Sequence, residues 1–182
     1  SSGSSNLDFI ISNQNPQSIG SINLPSLNNW HHIAVVFNGL FTNSDAAVQN
    51  SGRLKVYLNG VSQTVSFSGN MPTTTPGNIS GALSSTKSLV LGNGSWQTPV
   101  ANTSWNGKLS QMCIFTYNLS EPQVKYLYNN NDPVNTTVAN PQNPMGIPGD
   151  SPIVYYDLGG SSTGEAGDNS ANPTVNTLTV PN

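Results

Sequence analysis

The chain predicts an all-β fold, an antiparallel sandwich of two sheets with one short helix over residues 120–130. Three observations predict it. Apolar residues recur at every second position in seven or eight short runs, the period of a strand with one buried face. Two of those runs end in Asn-Gly, at Asn38-Gly39 and Asn59-Gly60, the dipeptide that suits the left-handed positions of a tight hairpin. A capping pattern followed by helical spacing stands out once, at Ser120. One helix among so many strands leaves sheet-on-sheet packing as the way to bury the apolar faces.

Taken in order, Leu7, Phe9 and Ile11 alternate as a strand after a Ser/Gly lead-in, and a weaker extended piece follows over residues 18–24. The block NNWHHIAVVFNG carries Trp30, Ile33, Val35, Val36 and Phe37 and reads as a central strand. Residues 43–52 read as a polar loop. RLKVYLNG then sets Leu54, Val56 and Leu58 on one face and Lys55 and Tyr57 on the other. Through Asn59-Gly60 it leads to Val61, Val65 and Phe67 at alternate positions, a hairpin. A Thr/Pro/Gly loop, a short strand over residues 88–91, a long polar loop holding Trp96 and Trp105, and a strand over residues 108–116 complete the β-rich part. Ser120 caps the helix with Gln123 reciprocating, Pro122 fits the first turn, and Val124, Leu127 and Tyr128 form its apolar stripe.

This divides the chain into a body, residues 1–131, a Pro/Asn-rich linker, residues 132–151, and a C-terminal strand segment, residues 152–182. In the tail, PIVYYDL places Val154, Tyr156 and Leu158 on one face and Ile153, Tyr155 and Asp157 on the other, so it needs a strand partner. TVNTLTV, residues 174–180, reads as a second tail strand.

Composition narrows the function. Charged residues make up 7% of the chain, against about 25% in ordinary soluble proteins. Ser, Thr, Asn and Gln supply the polar surface, as suits an extracellular protein or one on a cell or virion surface. The net charge of −3 with five Lys and Arg leaves no basic patch and argues against nucleic acid and anionic membranes. No run of 18 apolar residues predicts membrane insertion. The single cysteine, Cys113, rules out an intrachain disulfide and reads as a small buried hydrophobe. The chain opens on SSGSS without Met, which reads as a mature product or a segment of something longer.

The ordered series WHHIAVVFNG, LKVYLNGV, LVLGNG, NGKLSQMCIF and SEPQVKYLY resembles the second part of a laminin G-like domain. Such domains are concanavalin A-like, lectin-type jelly rolls of two antiparallel sheets, and the likeness covers residues 28–130. Members of the family open with a strand of the type V-x-Y-x-F/L-D-G, which the N-terminus lacks. The C-terminus holds its equivalent in IVYYDLGG. The resemblance therefore implies opening strands displaced to the C-terminus, with Ile153, Val154, Tyr155, Tyr156 and Leu158 as a donated strand. Its acceptor is the strand of Leu109, Gln111, Cys113 and Phe115. Three arrangements fit: the tail folds back on its own body, it inserts into the next copy, or the chain is one register of a tandem array. The second is favoured, because a linker of about twenty residues exceeds what a hairpin return needs. It predicts copies of the chain as partners, assembled head-to-tail into an extracellular filament or surface fibre.

Five sequons, at Asn78, Asn93, Asn102, Asn118 and Asn135, fall in expected loops, turns or the linker and predict a glycoprotein. Asp45, Asp157 and Asp168 are the candidate calcium ligands; calcium is the one cofactor the resemblance implies, and no Asp-rich spacing motif accompanies it. His31 and His32 point to opposite faces of a strand and do not chelate together. The alternative to a filament is a carbohydrate- or receptor-binding module of a larger adhesin, with Trp96 and Trp105 stacking on sugar faces. Catalysis is not expected: retaining glycoside hydrolysis needs two carboxylates about 5 Å apart. The two glutamates, Glu121 and Glu165, lie at a helix start and in a Gly-rich loop.

Overall fold

The structure, a computed structural model, describes residues 5–10, 18–24, 26, 29–73, 111–129 and 144–156. The described residues form antiparallel strands, two short α-helices and a 3-10 turn. The first sheet has the order β1-β2-β6, with β1 Ser5–Ile10, β2 Ile19–Leu24 and β6 Ser66–Ser68. The second has the order β3-β4-β5, with β3 Ile33–Phe37, β4 Leu54–Leu58 and β5 Val61–Ser62. A two-stranded ribbon pairs β7, Met112–Ile114, with β8, Val154–Tyr156.

Register sets the core. Leu7 lies opposite Ile22 and Phe9 opposite Gly20, which in turn lies opposite Phe67, so one face of the first sheet is apolar. That face meets Leu54 and Val56 of β4, and Met71 closes the cluster. β4 is buried on both faces: Tyr57 points away and packs with Val36 and Ala34 under Val124 of helix α2, Glu121–Asn129. The layers run from first sheet to second sheet to α2. Each fully buried aliphatic here contributes about 1.5–3 kcal/mol.

The Asn59-Gly60 hairpin forms as expected. Both residues have positive φ, 51° and 75°, and Leu58 pairs with Val61 across the turn. The alternating run after it does not stay in one sheet. β5 pairs with β4, whereas β6 pairs with β2, so the chain crosses between the sheets at residues 63–65. β3, expected to be central, has β4 as its strand partner among the described residues, and Ile33 and Val35 are 37% and 42% exposed.

The stretch expected to be a polar loop, residues 43–52, instead holds helix α1, Ala46–Arg53. Asp45 caps it, its carboxylate accepting from the amides of Ala47 at 2.8 Å and Val48 at 3.1 Å. The helix is short and polar because its buried residues are Asn50 and Arg53. Asn50 accepts from the Met71 amide at 2.9 Å. The Arg53 guanidinium donates to the carbonyls of Phe41 at 2.9 Å and Met71 at 2.6 Å, which satisfies its burial.

Candidate functional site

The sequence singles out the closing strand, and its surroundings form the best-defined polar arrangement near the C-terminus. β7 presents Met112, Cys113 and Ile114 opposite Tyr156, Tyr155 and Val154 of β8, antiparallel and within the one chain. The Ile153 amide adds a bond to the Ile114 carbonyl at 2.8 Å. Gln111 precedes β7 at φ 50°, and Phe115 follows it, edge-on to Tyr117 with ring centroids 5.6 Å apart.

Between β7 and α2 the chain builds a helix cap. The Ser120 amide and hydroxyl both donate to Gln123 Oε1 at 2.8 Å, the reciprocal half of a capping box. The other end of the same amide is occupied too. Gln123 Nε2 donates to the Pro148 carbonyl at 2.7 Å. Tyr117 Oη donates to the Asp150 carbonyl at 2.6 Å. Burial, and then the Asp150 carboxylate, raise the Tyr117 phenol above its ordinary value of 10.

Residues 144–151, expected to be part of the linker, are thus docked as a strap leading into β8. The strap starts with a 3-10 turn, Pro144–Gly146, and buries Pro144, Ile147 and then Pro152. Gly149 has φ 115°, which favours glycine whatever the space, and a Cβ there would stand 2.9 Å from Gln123 Nε2 and displace the end of that side chain. A Cβ on Gly146 would stand 3.2 Å from the Tyr126 hydroxyl.

Of the proposed donor residues, Ile153, Val154, Tyr155 and Tyr156 lie on this ribbon or lead into it. The structure places them on their own chain's β7, whereas the sequence reading favours a neighbour's. Of the acceptor set, Gln111, Cys113 and Phe115 are in or beside β7; Leu109 and Leu158 lie outside the described residues. Burial pushes the Cys113 thiol up to about 11, which keeps it largely protonated near neutral pH. Asn118 is exposed in the turn before Ser120. Asn78, Asn93, Asn102, Asn135, Trp96, Trp105, Asp157 and Asp168 lie outside the described residues. Asp45 serves as the α1 cap, and among the described residues no three His, Cys, Asp or Glu side chains gather to hold a metal. Glu121 pairs with Lys125 at 2.6 Å on the outer side of α2, and Glu165 lies outside the described residues. Among the described residues no helix is long and apolar enough to cross a membrane.

Two features of the site escaped sequence reasoning. Tyr117 lies between the expected strand and helix and carries no assignment, and the strap falls in the expected linker, although the pattern P-M-G-I-P-G-D-S-P brackets two glycines and an isoleucine with three prolines. Gln123 was read as a cap residue only. Trp30, assigned to the β3 block, lies just before that strand and is 57% exposed.

Comparison with curated proteins and with solved structures returned no match. A laminin G family model, described as the concanavalin A-like lectin/glucanases superfamily, matches residues 1–125. That match begins earlier than the resemblance read from the sequence, and it takes in β1 and β2. Spanning well over half of the chain and joined to antiparallel sheets packed face to face, it establishes that the chain belongs to the concanavalin A-like lectin/glucanases superfamily as a laminin G-like domain.

Proposed function

We propose that the chain is a non-catalytic, extracellular carbohydrate- or receptor-binding module whose C-terminal segment closes its own β-rich body. The family match carries the binding role, and the pairing of β8 with β7 supports a self-contained unit. Trp96 and Trp105 are the proposed sugar-stacking residues, with the exposed Trp30 as a further aromatic face. The sequons at Asn78, Asn93, Asn102, Asn118 and Asn135 are proposed glycan carriers. On a glycan array the purified chain is expected to bind a defined sugar class and to lose it on Trp96→Ala or Trp105→Ala. Binding that survives both substitutions removes that placement, and no binding to any glycan or cell surface removes the module reading.

A second reading, strand exchange between copies, is supported by one observation. Among the described residues, the strand paired with β7 and the carbonyls that Tyr117 and Gln123 bond come from one contiguous segment, residues 144–156, which follows α2 in the chain after residues 130–143. The same segment of a neighbouring copy offers the same groups, and a head-to-tail contact that does not close propagates as a filament. Light scattering of the wild-type chain separates the readings. Regular fibres that vanish when residues 151–182 are removed favour exchange; compact 19.2 kDa particles at all concentrations exclude it.

A further inference from the structure

Strand addition is ordinarily a matter of ladder hydrogen bonds, which join backbone to backbone and offer little to distinguish one extended segment from another; among the described residues the ladder pairs three residues of each strand. The contacts preceding it are more particular. Tyr117 and Gln123, on the β7–α2 turn and the first turn of α2, both donate to carbonyls of the strap, at Asp150 and Pro148. Neither bond reads a side chain. Both require the strap backbone to come close, along a path whose positive φ at position 149 favours glycine. Buried Pro144, Ile147 and Pro152 fix the path of the chain on either side.

We infer that residues 144–156 form one recognition unit, in which the strap is read by Tyr117 and Gln123 before the strand is read by β7. The partner that fits this face is the same segment of a second copy. This rests on the strand-exchange reading and extends it: specificity for the partner lies in the glycine-containing strap, upstream of the strand. The face takes an extended, proline-flanked segment with glycine at its sixth residue, and it rejects a β-strand that lacks this lead-in.

The test uses full-length chain carrying Gly149→Ala, whose own strap is weakened, and a fluorescein-labelled synthetic peptide of residues 144–156. By fluorescence anisotropy the native peptide is expected to bind about tenfold more tightly than the same peptide carrying Gly149→Ala. Adding Tyr117→Phe to the chain is expected to weaken the native peptide about fivefold, one hydrogen bond's worth. Equal binding of the two peptides, indifference to Tyr117→Phe, or no binding of either overturns the inference. Should the Gly149→Ala chain not fold, amide exchange in the full-length Tyr117→Phe chain decides. Residues 152–156 are expected to lose about fivefold protection while β4 keeps its own; no loss, or the same loss in β4, overturns it. Light scattering of wild type is read separately. Fibres without peptide discrimination keep exchange and sink the recognition unit, whereas discrimination without assembly sinks exchange and leaves the strap acting within its own chain.

Discussion

Gln123→Glu separates the two duties of one side chain. In the native chain Oε1 accepts from the Ser120 amide and hydroxyl, and Nε2 donates to the Pro148 carbonyl at 2.7 Å. Glutamate keeps an acceptor for Ser120, is favoured at this position of the helix, and places negative charge at the positive end of α2. Toward Pro148 it replaces a donor by an anionic oxygen facing a carbonyl. The lost bond costs about 1 kcal/mol and the opposed oxygens about as much again, roughly 2 kcal/mol in all. That is an increase of about thirtyfold in the population with the strap released. Amide exchange read by mass spectrometry at pH 7 is expected to show this loss at Ile153 and β8, with α2 and β4 unchanged. Lowering the pH through the ordinary glutamate value of about 4.3 restores an O–H donor, so strap protection in the variant is expected to recover as pH falls, opposite to the trend of wild type. Unchanged strap exchange at pH 7, or equal loss across α2, refutes the idea that this amide couples cap to strap.

Val124→Ala, at a fully buried position between Tyr57 and Val36, is expected to cost about 2 kcal/mol in urea unfolding, because two methyl groups leave a space the sheet cannot fill. Asp45→Ala removes the cap of α1 and is expected to cost about 1 kcal/mol, with Asp45→Asn retaining most of it. Cys113, with its thiol at about 11, is expected to alkylate roughly twentyfold more slowly than a free thiol near pH 7.5, the smaller thiolate fraction being partly offset by the greater nucleophilicity of a more basic thiolate. Release of β8, which lies opposite it, accelerates that reaction. His32 is half-buried against Tyr128, its Nδ1 has no hydrogen-bond partner among the described residues, and desolvation holds its pKa below 6.5. The unfolded chain therefore binds the proton first. Stability is fully present above pH 6.5 and is lost as pH falls through the lowered folded value, a loss that His32→Phe is expected to remove.

Where side chains carry the structure, the sequence was legible. Leu7, Phe9 and Ile22, and Leu54 and Val56, alternate as they pack, and Asn59-Gly60 turns where its left-handed residues require. The helix announced itself through Ser120, Gln123 and Val124. What escaped has a common cause. The strap is held chiefly by its own carbonyls and by prolines, and a backbone contact leaves no period in the sequence. The alternation of Val61, Val65 and Phe67 continues across a change of sheet, since period reports a face and not the neighbour it meets. α1 had a signal in Asn43 and Asp45 ahead of AAVQ, outweighed by the polarity of Asn50 and Arg53, which are buried by bonding to loop carbonyls and amides. Whether β8 pairs within its chain or across copies leaves no trace in either strand, because both choices form the same bonds.

That choice is governed by concentration. Residues 130–143 reach at most roughly 50 Å when fully extended. A segment confined to a sphere of that radius is present at no less than a few millimolar, in the range usual for short linkers. At ten micromolar chain, closure within the copy then leads exchange by a few hundredfold, about 3 kcal/mol. Separate copies in dilute solution therefore favour the closed unit, for the same contacts at Tyr117, Gln123 and β7. A strap reaches a neighbour on equal terms only where that neighbour is tethered as closely, as in a tandem array, or where chains fold while crowded at millimolar density. The filament reading thus depends on how copies are delivered to one another, and the binding-module reading needs no such condition.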